Sequence, residues 1–115
     1  VVEEVGFDEF FDGFSYLEDL DFSYTVGRRY RLAVVAGAGY AHHPPGRGDT
    51  FDFLHFGRIE IRNRIFFVRK HGLSVSKCRG AAFAKVVLTV LSPSILERRF
   101  RQRIAGNIVE LALSC

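Results

Sequence analysis

Two groups of residues in this 115-residue sequence have types and spacings that could do chemistry. The first is Glu18-Asp19 with Asp21. A carboxylate held rigidly on a helix can accept the proton of an incoming hydroxyl nucleophile. Adjacent acids at a helix start also suit the positive end of the helix dipole. Glu18 stands three residues after Ser15, the capping-box spacing in which each side chain bonds the other's amide. The second group is His42-His43. A neutral imidazole on a loop can complete a divalent metal site whose carboxylates come from elsewhere, or it can be a polar turn.

Other short patterns carry less. Asp19-Leu20-Asp21 has the D-x-D spacing that holds a metal against a diphosphate, but such a pair must project from the end of a hydrophobic strand, and here it falls within a predicted helix. Arg47-Gly48-Asp49 is a three-residue match of the kind that arises by chance. Cys78 and Cys115 lie far apart with no C-x-x-C or Cys/His spacing, so neither a zinc site nor a disulfide framework is indicated and a reducing compartment is the default.

The elements that must position these residues follow from periodicity and punctuation. A helix is predicted from Ser15 to about Gly27, with Leu17, Leu20 and Tyr24 at three- and four-residue spacing and Gly27 as its C-terminal cap. Leu32-Ala33-Val34-Val35-Ala36 reads as a buried strand. Two prolines and two glycines then make 41–49 a loop. From Phe51 the pattern is that of a basic amphipathic helix, with Phe53, Phe56, Ile59 and Asn63 on one face and Arg58, Arg62 and Arg69 on another, ending near His71-Gly72. A helix through Ala81–Leu91 is stopped by Pro93, and a last one runs from Ile95 to about Leu113.

Length and composition suit one small domain that buries a core: 48% of residues are apolar and 25% charged. A long disordered tail, a collagen-like repeat and a multidomain enzyme are excluded. The chain opens on Val1 and contains no Met or Trp, so it is expected to be a processed product or a piece of something longer. Charge is divided steeply. Residues 1–21 carry eight acids and no Lys or Arg, while the rest holds all sixteen Lys and Arg against five acids, which predicts two regions with different jobs. The acidic N-terminus is not that of a secretory signal. The apolar run 81–96 is shorter than the roughly twenty residues that span a bilayer.

Read together, Gly6-Phe7-Asp8-Glu9-Phe10-Phe11 and Glu18-Asp19-Leu20-Asp21-Phe22 resemble the segment of family 2 glycosyltransferases that reads G-F-D-E-x-F followed by E-D-x-D-[LF]. Gly27-Arg28-Arg29-Tyr30-Arg31-Leu32 is similar to that family's turn into a strand, and Arg62 to Lys70 resembles a helix found after the catalytic region. The similarity covers about residues 5–71. It implies an α/β fold, the C-terminal fragment of a GT-A fold with short strands plus helices, followed by basic amphipathic helices. Residues 1–56 would be the acceptor-side part of the catalytic domain and 57–115 a C-terminal basic helical region.

The resemblance further implies inverting transfer of a sugar from a nucleotide-sugar donor to a hydroxyl of a glycan or lipid-linked acceptor. Asp19 would be the general base and Glu18 would contact the acceptor. His42, with His43 as alternative, would help hold Mg²⁺ or Mn²⁺ in the complete enzyme, and Arg47 would close over the diphosphate or remain a solvated loop charge. The nucleotide-binding half of the family is absent, so the chain is expected to be inactive alone and to expose a seam at 32–36 where the missing sheet would pair. The Q-x-x-R-W signature of processive synthases is also absent, which favours single addition. The expected setting is cytoplasmic, at the inner face of a bacterial membrane, with peripheral membrane contact and no nucleic acid partner. The reading from a different class is a non-catalytic basic module that binds anionic lipid or nucleic acid through its Arg-rich helices.

Overall fold

The computed structural model describes residues 2–11, 15–39, 41 and 51–114. Their elements are α1 (Val2–Val5), a 3-10 turn (Glu9–Phe11), α2 (Glu18–Gly27), α3 (Phe53–Lys70), α4 (Val75–Leu91), a second 3-10 turn (Pro93–Leu96) and α5 (Arg98–Leu113). No strand occurs among the described residues. This overturns the expected α/β fold and its short strands. Residues 32–36 are β-branched and apolar, but a strand is stabilised by a neighbour, and none of the described segments offers one. Every residue from 27 to 39 is exposed, Val34 completely.

Three helices, α3, α4 and α5, form the body of the molecule, and side-chain caps start the first two. The Asp52 carboxylate accepts the amide of His55 at 2.8 Å and starts α3. At its other end the Gly72 amide donates to Arg69 O at 3.2 Å and the Leu73 amide to Val68 O at 2.8 Å. This double closure needs the left-handed φ of +66° that Gly72 adopts. The Ser74 hydroxyl accepts the amide of Lys77 at 3.3 Å, so α4 begins six residues before the apolar run that announced it. Pro93 ends it as the sequence predicts, and carries Ile95 and Leu96 into the 3-10 turn rather than into α5.

The capping box expected at Ser15 does not form. Ser15 and Leu17 both have positive φ, at 48° and 73°. Leu17 occupies the N-cap position without a side-chain bond, and α2 begins at Glu18. Glu18 therefore stands at the first helical position instead of the third, and its amide meets the Ser15 carbonyl at 3.3 Å.

Packing between α3 and α5 is set by two glycines. A Cβ added at Gly57 would lie 2.1 Å from Arg103 O, and one added at Gly106 would lie 2.1 Å from Leu54 O. The helices cross backbone against backbone. Asn107, fully buried, fastens the crossing: with its amide nitrogen oriented toward the two carbonyls, it donates to Arg103 O at 2.9 Å and Gly57 O at 3.1 Å. Beside it Ile61, Ile65 and Ala82 form a small apolar core, with Val75 and Leu111 against it. Arg79 of α4 reaches the carbonyls of Leu111 and Ser114 at the end of α5, each at 3.4 Å.

Alanine is a better helix former than glycine by about 1 kcal/mol, so in a free helix Gly57→Ala or Gly106→Ala would stabilise. Here overpacking of the crossing reverses the sign, with an expected loss of about 1–3 kcal/mol or more for each. Thermal melts check this. A variant as stable as the parent would show that the two backbones do not meet at this distance.

Candidate functional site

The residues singled out from sequence are not brought together. Glu18 and Asp19 occupy the first turn of α2. Asp19 is exposed, and its carboxylate accepts the amide of Leu20 at 2.8 Å. Its place on the first turn also puts it near the positive end of the helix dipole. His42, His43 and Arg47 lie outside the described residues. Among the described residues no group of three His, Cys, Asp or Glu side chains could hold a metal ion. Burial pushes the Cys78 thiol up, which disfavours a reactive thiolate.

The acid that α2 does bury is Asp21, at 3% exposure. Its carboxylate takes Lys70 Nζ at 2.6 Å on one oxygen and His71 Nε2 at 2.7 Å on the other. Lys70 also donates to Asp8 at 2.7 Å, and this bond holds the Asp8 carboxyl below its ordinary range. Burial disfavours the charged form of Lys70, but its bonds to Asp21 and Asp8 outweigh burial and keep its pKa raised. Around these charges Phe10 stacks on Phe66, Phe11 meets Phe66 edge-on and Tyr24 packs on Phe67 and His71. The acidic opening of the chain is thereby the strap that fastens α2 to the basic end of α3.

A second charged centre lies at the heart of the three helices. Glu60 has no exposed surface. One of its oxygens accepts from Lys85 of α4 and lies 3.6 Å from Arg64 of α3, and the other accepts from Arg103 of α5 at 2.9 Å. Burial alone would push this carboxyl up. The hydrogen bonds and charges of Arg103 and Lys85 more than offset burial and hold its pKa below the ordinary value. Arg64 also donates to the Tyr16 hydroxyl at 2.8 Å, and Arg103 lies over the Phe56 ring. The backbone of Tyr16 is held as well, because the buried Asn63 donates to its carbonyl at 2.9 Å.

Sequence reasoning missed Glu60, Lys70 and His71. A signal for Glu60 was present, since it is the only acid among the cations between Arg58 and Arg79.

The third feature is a surface. Helix α4 is apolar around most of its circumference yet buries only Ala82 and Val86. Phe83, Leu88 and Leu91 are 64%, 69% and 77% exposed, and Leu96 beyond them 78%. Along one strip, Phe83, Val87, Val90 and Leu91 repeat at i, i+4, i+7 and i+8. Comparison with protein-family models, curated proteins and solved structures finds no match for the chain.

Glu60→Gln leaves three cations converging on a neutral amide and is expected to cost about 3–5 kcal/mol at neutral pH. Because the native pKa of Glu60 is lowered, its contribution is full above the unfolded value of about 4.3 and is lost as pH falls through the native value. The gap between parent and variant should therefore close in acid, as urea melts across pH would show; a gap independent of pH would refute the assignment. Separately, Asp21→Ala should lose about 1–3 kcal/mol, while Asp19→Ala should stay within about 0.5 kcal/mol of the parent. Equal effects on the melting temperature would contradict the distinction between these acids.

Proposed function

We propose that this chain is a non-catalytic docking module that rests on an anionic lipid surface through the outer strip of α4. The observation that carries this reading is a helix apolar nearly all round and covered on one side only. Such a helix is ordinarily buried on every side. No helix of the described residues is long and apolar enough to cross a membrane, so α4 would lie in the interface plane.

Cations support lipid over a purely apolar partner. Lys77 is exposed near the start of α4, and Arg98, Arg99 and Arg101 are exposed just beyond its end. Arg99 is paired to Glu97 at 2.6 Å, and Arg101 holds Leu96 O at 2.6 Å beside the exposed Leu96 side chain. Each cation near an anionic leaflet adds about 1 kcal/mol of attraction. Each large side chain of the strip adds about 1.5–3 kcal/mol if fully buried. The transferase expectation, by contrast, loses its fold-level basis with the strand.

The chain should sediment with vesicles of phosphatidylcholine containing phosphatidylglycerol, more weakly with phosphatidylcholine alone, and less as salt screens the charges. Phe83→Glu with Leu91→Glu should abolish sedimentation without lowering the melting temperature, because both residues are exposed. Absence of binding to anionic vesicles, with strongly salt-dependent binding to duplex DNA instead, would replace the lipid reading with the nucleic-acid one.

A further inference from the structure

We infer that a groove beside this strip is a binding site for a medium-chain fatty acid. The groove, about 500 Å³ and open to solvent, runs between α4, the turn at Pro93–Leu96 and the start of α5. Its apolar lining includes Ala81, Ala84 and Leu88 from α4 and Phe100 from α5, and its polar lining includes Ser94 and Lys85. The volume is that of small-molecule sites in general. The α4 residues of the groove form a strip adjacent to, and separate from, Phe83, Val87, Val90 and Leu91.

The charge of the Glu60 centre selects the head of the ligand. Three cations meet one carboxylate there, and no second carboxylate meets any of them among the described residues. Two positive charges are thus in excess. Lys85 is the member that lines the groove, with its side chain 40% exposed. An ammonium has three donors, and Glu60 takes one. A ligand with a carboxylate near Lys85 and Ser94 and an unbranched chain along Ala81, Ala84, Leu88 and Phe100 satisfies both parts of the lining. A neutral apolar ligand would leave the surplus charge unanswered.

Calorimetric titration of the full chain with laurate, and with dodecanol as the neutral analogue of equal length, tests the site. Laurate should saturate at one per chain, and dodecanol should bind at least about tenfold more weakly. Ala84→Phe fills the groove from an exposed position and should remove laurate binding at an unchanged melting temperature. Lys85→Arg should retain laurate binding, whereas Lys85→Gln should reduce it to the level of dodecanol. The Phe83→Glu, Leu91→Glu variant should bind laurate as the parent does. Laurate binding without saturation, equal binding of laurate and dodecanol, or indifference to Ala84→Phe would overturn the proposal. So would loss of laurate binding in the Phe83, Leu91 variant. Vesicle binding with no laurate site would sink the groove alone, and a laurate site with no vesicle binding would sink the bilayer reading alone.

Discussion

A carboxylate with no access to water is costly unless cations reach it, and Glu60 imposes that requirement on every helix of the body. Arg64 answers it from the next turn of α3, Lys85 from α4 and Arg103 from α5. Each of these side chains has to leave its own helix at one rotational setting, so the pairs constrain how α4 and α5 are rotated against α3. The core of Ile61, Ile65 and Ala82 is small, and α4 places only two side chains fully inside. Ionic geometry adds its own constraint to the one this apolar layer imposes.

The glycine crossing and the ionic centre are one construction. Arg103 gives its carbonyl to the close approach at Gly57 and its guanidinium to Glu60, while Asn107 ties the same carbonyl back to α3. A larger residue at Gly57 or Gly106 would separate the helices and lengthen the Arg103 pair as well. The packing defect would therefore be joined to an electrostatic one, and the two losses would not be independent.

What was legible in the sequence was punctuation and period. Gly72 and Pro93 each act through the few bonds next to them, and the boundaries they set lie close to the ones read from the chain. Less legible was anything decided by distant partners. Residues 32–36 have strand chemistry but no strand to pair with, and pairing is not a local property. Among Glu18, Asp19 and Asp21, the buried acid depends on how α2 packs on the end of α3, where Asp21 meets Lys70 and His71 and Asp19 faces water. Glu60 is illegible as a core residue because an acid on a basic amphipathic helix reads as solvated until the cations of two other helices are placed around it. The division of charge was legible as a fact, but its consequence was not: part of the acidic opening binds the basic region of the same chain.

The composition of α4 follows from the same economy. A helix that met only this body would need apolar residues at Val75, Ala82, Val86 and their neighbours, and could carry charges elsewhere at no loss. Between Ala81 and Leu91 it carries one charge, Lys85, and that charge is turned to Glu60. Hydration of the remaining apolar side chains is unfavourable in the isolated chain and is relieved by any surface that excludes water from them. On the proposed reading, the cations that bracket the helix would discriminate among such surfaces, because an anionic one gains at the rim what a neutral one does not. Exposure of α4 and the cations at its two ends are on this view parts of one binding surface, with the apolar strip supplying adhesion and the rim supplying selectivity.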